Sequence, residues 1–135
     1  MCCKEGNENL VATIVVVDDD AAIRHAMENL LESAGYEPVS FDSGEAFLAW
    51  PHLASIDVAL FDVKLRGMSG FTLLEQFVAR QPAVPSIFIS GHGDSEMERR
   101  ALRAGALGLL SKPVDPDILF EHIERALAVR RTYQG

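Results

Sequence analysis

The chain is 135 residues long, which suits one domain, and its 48% hydrophobic and 24% charged residues are those of an ordinary globular protein rather than a disordered one. Twelve Lys and Arg against twenty Asp and Glu leave a net charge of −8, which repels phosphate backbones and anionic lipid and argues against direct binding of nucleic acid or membrane. The apolar runs fall far short of the ~20 residues that cross a bilayer, and nothing at the start reads as a secretory leader, so the expected location is the cytoplasm.

Residues 1–10 are polar, carry the only cysteines, Cys2 and Cys3, and read as a flexible tail. A domain is expected at 11–131, with a short C-terminal tail at 132–135. Residues 11–17, continuously apolar and rich in β-branched side chains, read as a strand buried on both faces and stop at Asp18-Asp19-Asp20. Ile23, Ala26, Met27, Leu30, Leu31 and Ala34 then follow the i, i+3, i+4 spacing of an amphipathic helix, and Gly35 supplies its stop. Residues 36–41 form a weaker strand whose Pro38 argues for an edge position, and Ser43 and Glu45 offer capping for a short helix that ends at Pro51.

A second buried-strand run, 58–61, is closed by Asp62; after a loop with Gly67, Ser69 caps a helix that turns Phe71, Leu74, Phe77 and Val78 inward and ends near Arg80. Residues 87–89 are the next strand, closed by Ser90. Asp94 or Ser95 caps a helix with Met97, Ala101 and Ala104 on one face and Gly105 at its end. The last strand, 107–110, is closed by Ser111-Lys112-Pro113, and a helix over 115–131 buries Leu119, Ile123, Ala126 and Leu127. Five β–α units with right-handed crossovers make an α/β domain, a mostly parallel sheet with helices on both faces.

The polar residues that end the apolar runs are the informative ones: Asp18 and Asp19, Asp62, Ser90 and Lys112 all fall at carboxyl ends of strands. That edge of an open parallel sheet is where ligands bind. Singly, each is explained as a helix cap or turn residue. Together they supply three carboxylates, a hydroxyl and a cation. Two carboxylates ~4 Å apart repel by ~4 kcal/mol at an effective dielectric of ~20, so the cluster calls for a counter-charge. Oxygen-only ligands with room for water favour Mg²⁺ over zinc. A carboxylate beside such a cation, a Lys and a hydroxyl is equipped to attack a phosphoryl group, and Asp62, alone at the end of its strand, is the nucleophile candidate. Of the four histidines only His92 falls in a loop at this edge.

In this order and at these intervals, Val16-Val17-Asp18-Asp19, Asp62 with Gly67-Met68-Ser69-Gly70, Ser90-Gly91-His92-Gly93-Asp94, Ala104-Gly105-Ala106 and Lys112-Pro113 resemble the receiver domain of two-component response regulators, over about residues 11–130. The resemblance implies a flavodoxin-like, doubly wound five-stranded parallel sheet, order 2-1-3-4-5, with five helices. It implies that Asp62 accepts phosphate from a sensor histidine kinase or phosphotransfer protein, as a phosphoacceptor rather than an enzyme with turnover. Asp18, Asp19, Asp62 and the backbone carbonyl of Lys64 would hold Mg²⁺. Ser90 and Lys112 would contact phosphoryl oxygens, the bond from Lys112 to Pro113 being cis, while Lys64 and His92 would tune how quickly water removes the phosphate. An output partner would meet the face of the fourth helix, fifth strand and fifth helix, with room for a phosphorylation-dependent dimer.

Two departures stand out. Leu109 occupies the position of the family's aromatic switch residue, and Leu65-Arg66 replaces a common Met-Pro pair. They motivate an alternative, an interaction module that keeps the fold and signals without phosphate. A Mg²⁺-dependent aspartyl phosphatase would want a second acid where Lys64 stands. A flavin-binding flavodoxin would want hydroxyls and bare N–H groups where the first loop is acidic.

Overall fold

A computed structural model describes residues 11–91 and 95–134, with side chains through 130. The tail at 1–10 with Cys2 and Cys3, the loop residue His92 and the alternative cap Asp94 lie outside the described residues. Strands Thr13–Val17 (β1), Glu37–Phe41 (β2), Val58–Asp62 (β3), Ser86–Ser90 (β4) and Gly108–Ser111 (β5) alternate with helices Ala21–Ser33 (α1), Gly44–Leu48 (α2), Gly70–Arg80 (α3), Ser95–Ala104 (α4) and Pro116–Gln134 (α5). All pairings are parallel and the sheet order is β2-β1-β3-β4-β5, the doubly wound order expected. Because β2 pairs only with β1, Pro38 sits on an edge strand, where its missing N–H costs no inner ladder bond.

Every residue of β3 and β4 is buried, as is β1 after Thr13, because helices cover both faces. Successive side chains alternate. Ile14, Val16, Leu60, Ile87 and Ile89 pack against Met27 and Leu31 of α1 and Leu119 and Ile123 of α5. Val15, Val17, Ala59, Phe61 and Phe88 pack against Phe47 of α2, Leu73, Leu74 and Phe77 of α3 and Ala101 of α4. The rings of Phe47, Phe61 and Phe77 meet pairwise at 5.1–5.8 Å, each fully buried and contributing roughly 1.5–3 kcal/mol of transfer free energy.

The helix starts follow their side-chain caps. Asp20 Oδ1 accepts from the backbone N–H of Ala22 and Ile23, and Asp115 Oδ1 from those of Asp117 and Ile118, directly ahead of Pro116 at the first helical position. Ser43 and Ser69 cap α2 and α3 through Ala46 and Thr72. Gly35 and Gly105, at φ +90° and +111°, close α1 and α4 in the left-handed region. Among the described residues, no helix is long and apolar enough to cross a membrane.

Several details differ from the sequence pattern. β1 begins two residues late: Val11 is exposed, and Asp57 Oδ2 accepts from the Thr13 N–H at 2.9 Å where pairing begins. Ala26, Ala34 and Ala104 are exposed, because a methyl group satisfies a helical stripe without reaching the core. In α3 the buried set is Gly70, Leu73, Leu74 and Phe77, leaving Phe71 and Val78 half-buried, a rotation of the expected face toward Phe47 and Phe61. Leu53 and Ile56, in a connection holding the 3₁₀ turn Leu53–Ser55, complete the core without any periodicity to announce them. α5 continues to Gln134, through three of the four residues expected as a tail, since the apolar pattern fades after Leu127 while the backbone stays helical.

Candidate functional site

Parallel register fixes which strand ends are neighbours. Val17 pairs with Phe61, Asp62 with Ile89 and Ser90 with Ser111, so the residues following β1, β3 and β5 emerge along one edge. There, carboxylate oxygens of Asp18, Asp19 and Asp62 all lie within 4.8 Å of one another. Lys112 Nζ donates to Asp18 Oδ2 and to Asp62 Oδ2, each at 3.2 Å. Ser90 is buried at the end of β4, and its carbonyl accepts the Lys112 N–H at 2.8 Å, tying β4 to the start of the Lys112-Pro113 segment. That peptide bond is cis, as the resemblance implied.

The acidic run is divided by position. Asp18 is buried, and its Oδ1 accepts the Asp20 N–H at 2.9 Å; Asp20 itself is spent on capping α1. Asp19 is half-buried and ion-paired to Arg66, Nε to Oδ2 at 3.6 Å. Lys64 is exposed and gives its N–H to Asp62 Oδ1 at 3.2 Å. Two further residues shape the site. Arg24, one turn into α1, donates from Nη1 to the Asp18 carbonyl at 2.7 Å, a function signalled only by its spacing from the acidic run. Gly70 lets α3 lie against the backbone of Asp62 and Val63.

A cavity of about 580 Å³ runs from Asp18, Asp62 and Lys112 beneath α1, walled by Ile23, Met27, Leu30, Leu60 and Val114. Burial raises the Asp62 carboxyl above its ordinary value and the Asp18 charge adds to this, against the opposing pull of Lys112 and the Lys64 N–H. For Lys112, burial alone lowers the ammonium's pKa, but the hydrogen bond to Asp18 and the charges of Asp18 and Asp62 outweigh it, and the net direction is upward. The three carboxylates offer a hard-oxygen donor set with net negative charge, which fits a divalent cation such as Mg²⁺.

Lys112→Met keeps the apolar stem and removes the charge. It is expected to lower stability by about 1–2 kcal/mol at pH 7 in a chelator, a value discounted because the ammonium is 22% exposed. Left without that cation, Asp62 should titrate higher than in the parent chain, so the loss grows as pH rises above the ordinary carboxylate range. Urea unfolding and carboxyl-carbon NMR measure the two effects, and no change in either would remove Lys112 from the charge balance of the site.

The profile of the family described as "Response regulator receiver domain" matches residues 14–124. Among curated proteins, the chain is 40% identical over 115 residues to the transcriptional regulatory protein FixJ of Bradyrhizobium diazoefficiens, covering 84% of this chain and 56% of that protein. It is 37% identical over 113 residues to the DNA-binding transcriptional regulator NtrC of Salmonella typhimurium, covering 84% of this chain and 24% of that one. The chain thus spans about half of the first relative and a quarter of the second. Among solved structures, a response regulator receiver domain protein (CheY-like) from Methanospirillum hungatei superposes with a TM-score of 0.82 at 33% identity, covering 91% of this chain and 98% of that one. A receiver domain protein from Clostridium thermocellum gives 0.85 at 30% identity, with 91% and 99% covered.

Proposed function

This chain belongs to the response regulator receiver domain family, and on that premise we propose that it is a phosphorylation-controlled switch whose acceptor is Asp62. The observation that carries the reading is the buried Asp62 carboxylate, held at 3.2 Å from Lys112 within the three-carboxylate cluster. A carboxylate oxygen of Asp62 attacks the phosphorus of a phosphohistidine on a sensor kinase or phosphotransfer protein. The phosphorus–nitrogen bond breaks, the imidazole keeps that electron pair, and an acyl phosphate forms on Asp62.

Asp18, Asp19 and Asp62, with the Lys64 carbonyl, would hold Mg²⁺, which when bound supplies positive charge to the equatorial phosphoryl oxygens. Lys112 would neutralise a phosphoryl oxygen, a role supported by its bond to Asp18, which holds the ammonium beside Asp62. The Ser90 hydroxyl donates to another phosphoryl oxygen, and Arg24 steadies the Asp18 backbone. On this reading the chain is a phosphoacceptor without turnover on a separate substrate. His92 and Lys64 would bear on how quickly water reaches the phosphate. The output partner meets the face of α4, β5 and α5; Leu102 of α4, Leu107 just ahead of β5 and Ile118 of α5 are exposed large apolar side chains in this part of the chain. The same face would serve a phosphorylation-dependent dimer, and the expected compartment is the cytoplasm.

One observation favours a second reading. Leu109 is paired with Phe88 and half-buried against the core, so β5 carries no aromatic ring at that position to swing inward when Ser90 moves. A module that binds partners regardless of phosphate would tolerate this. Acetyl phosphate separates the two. With Mg²⁺ present, the intact mass of the chain is expected to rise by one phosphoryl group, and chelation should prevent it. An unmodified chain in saturating Mg²⁺ and donor would overturn the phosphoacceptor reading and leave the second.

A further inference from the structure

The three carboxylates divide two protein cations between them. Lys112 takes Asp18 and Asp62, while Asp19 is paired with Arg66. The two cations are held very differently. Lys112 is buried to 22% exposure and makes two bonds, whereas Arg66 is 91% exposed and makes one 3.6 Å contact through Nε. Arg66 lies in the loop between β3 and α3, so its guanidinium reaches the cluster from the solvent side.

We propose that Arg66 is a tethered competitor of the divalent cation at Asp19, a positioning residue that holds this carboxylate until a metal ion displaces it and so raises the cation concentration at which the site loads. This rests on the reading of Asp18, Asp19 and Asp62 as the cation's ligands. A dication bound at Asp19 while the guanidinium stays 3.6 Å from Oδ2 brings two like charges together, so loading favours the release of Arg66. The pair is weak enough for that exchange: exposed ion pairs of this kind alter equilibria by about twofold to fivefold. Repulsion between the displaced but still tethered guanidinium and the bound ion adds to the competition at low ionic strength and is screened at high salt.

Calorimetric titration of the full chain with MgCl₂ tests this at about 20 mM and about 1 M KCl, where screening lengths differ several-fold. Arg66→Ala is expected to bind Mg²⁺ about threefold to tenfold more tightly than the parent at low salt, with the difference falling below about twofold at high salt. Arg66→Lys should lie between, since it keeps the charge without the guanidinium fork. In the parent chain the Arg66 Nε–H resonance should move as Mg²⁺ is added. Thermal unfolding in a chelator, nearly unchanged by Arg66→Ala, shows that the variant is folded. Affinities within twofold at low salt, or weaker binding by Arg66→Ala, overturn the competition. If the parent still binds Mg²⁺ and takes a phosphoryl group, that result leaves the proposed function intact. Absence of Mg²⁺ binding by every form overturns both this inference and the ligand assignment.

Discussion

Asp62→Asn is expected to abolish modification by acetyl phosphate completely and, in the same protein, to increase stability. The first effect follows because an amide oxygen is a poor nucleophile and an acyl phosphate cannot form on it, while Asn preserves shape and still accepts from Lys112. The second follows from the raised Asp62 pKa. A carboxyl group whose pKa rises on folding contributes its full stability only below the unfolded value near 3.8, and that contribution is lost as pH climbs through the folded value. At pH 7 the ionised Asp62 is therefore a net cost, from burial first and from Asp18 beside it.

Removing that charge should gain about 1–2 kcal/mol at pH 7 in a chelator and flatten the pH dependence above the ordinary carboxylate range. Mg²⁺ should narrow the gap, because it stabilises the parent chain by binding the folded state. Intact mass and urea unfolding at several pH values report the two effects. A phosphoryl group retained by Asp62→Asn would move the acceptor elsewhere, and a loss of stability would mean that the Lys112 pair outweighs burial.

Gly70→Ala should be among the most destabilising single-methyl changes available to this chain. A Cβ at Gly70 would stand 2.4 Å from the Asp62 carbonyl oxygen, 2.9 Å from Val63 Cα and 3.0 Å from the Val63 carbonyl oxygen, all backbone atoms that no rotamer change can move. Either α3 lifts from β3, opening the contacts of Leu73 and Leu74, or the backbone carrying Asp62 is displaced. Overpacking of this severity costs about 2–3 kcal/mol, a fall in Tm on the order of 10 °C for a domain of this size. Gly91→Ala is the control: nothing lies within 4 Å of its Cβ position, and a change within about 0.5 kcal/mol is expected. Calorimetry compares them, and equal Tm values for the two variants would show that the α3–β3 contact yields without cost.

The apolar run before Asp18, the β-branched run before Asp62 and the serine and aspartate caps are local signals. From them the strands, the helix starts and the acceptor candidate could be read, because backbone hydrogen bonding and side-chain periodicity act over a few residues. Asp19 joins the cluster as expected, while Asp20, next to it after the same strand, is spent on the N–H groups of Ala22 and Ile23. The helical stripe of α3 was legible, but its rotation was not, because Phe47 and Phe61, which select the buried face, come from other elements.

By itself, then, the sequence determined the alternation of elements, the parallel sheet and the kinds of group gathered at its carboxyl edge, since each is encoded by short-range pattern and chain polarity. Which charge answers which was decided only by tertiary structure. Lys112 meets Asp18 across 94 residues, Arg66 takes Asp19, and Arg24 takes the Asp18 carbonyl. Such pairings depend on strand register and on how closely α3 approaches β3 at Gly70, distances that emerge only when the whole core packs.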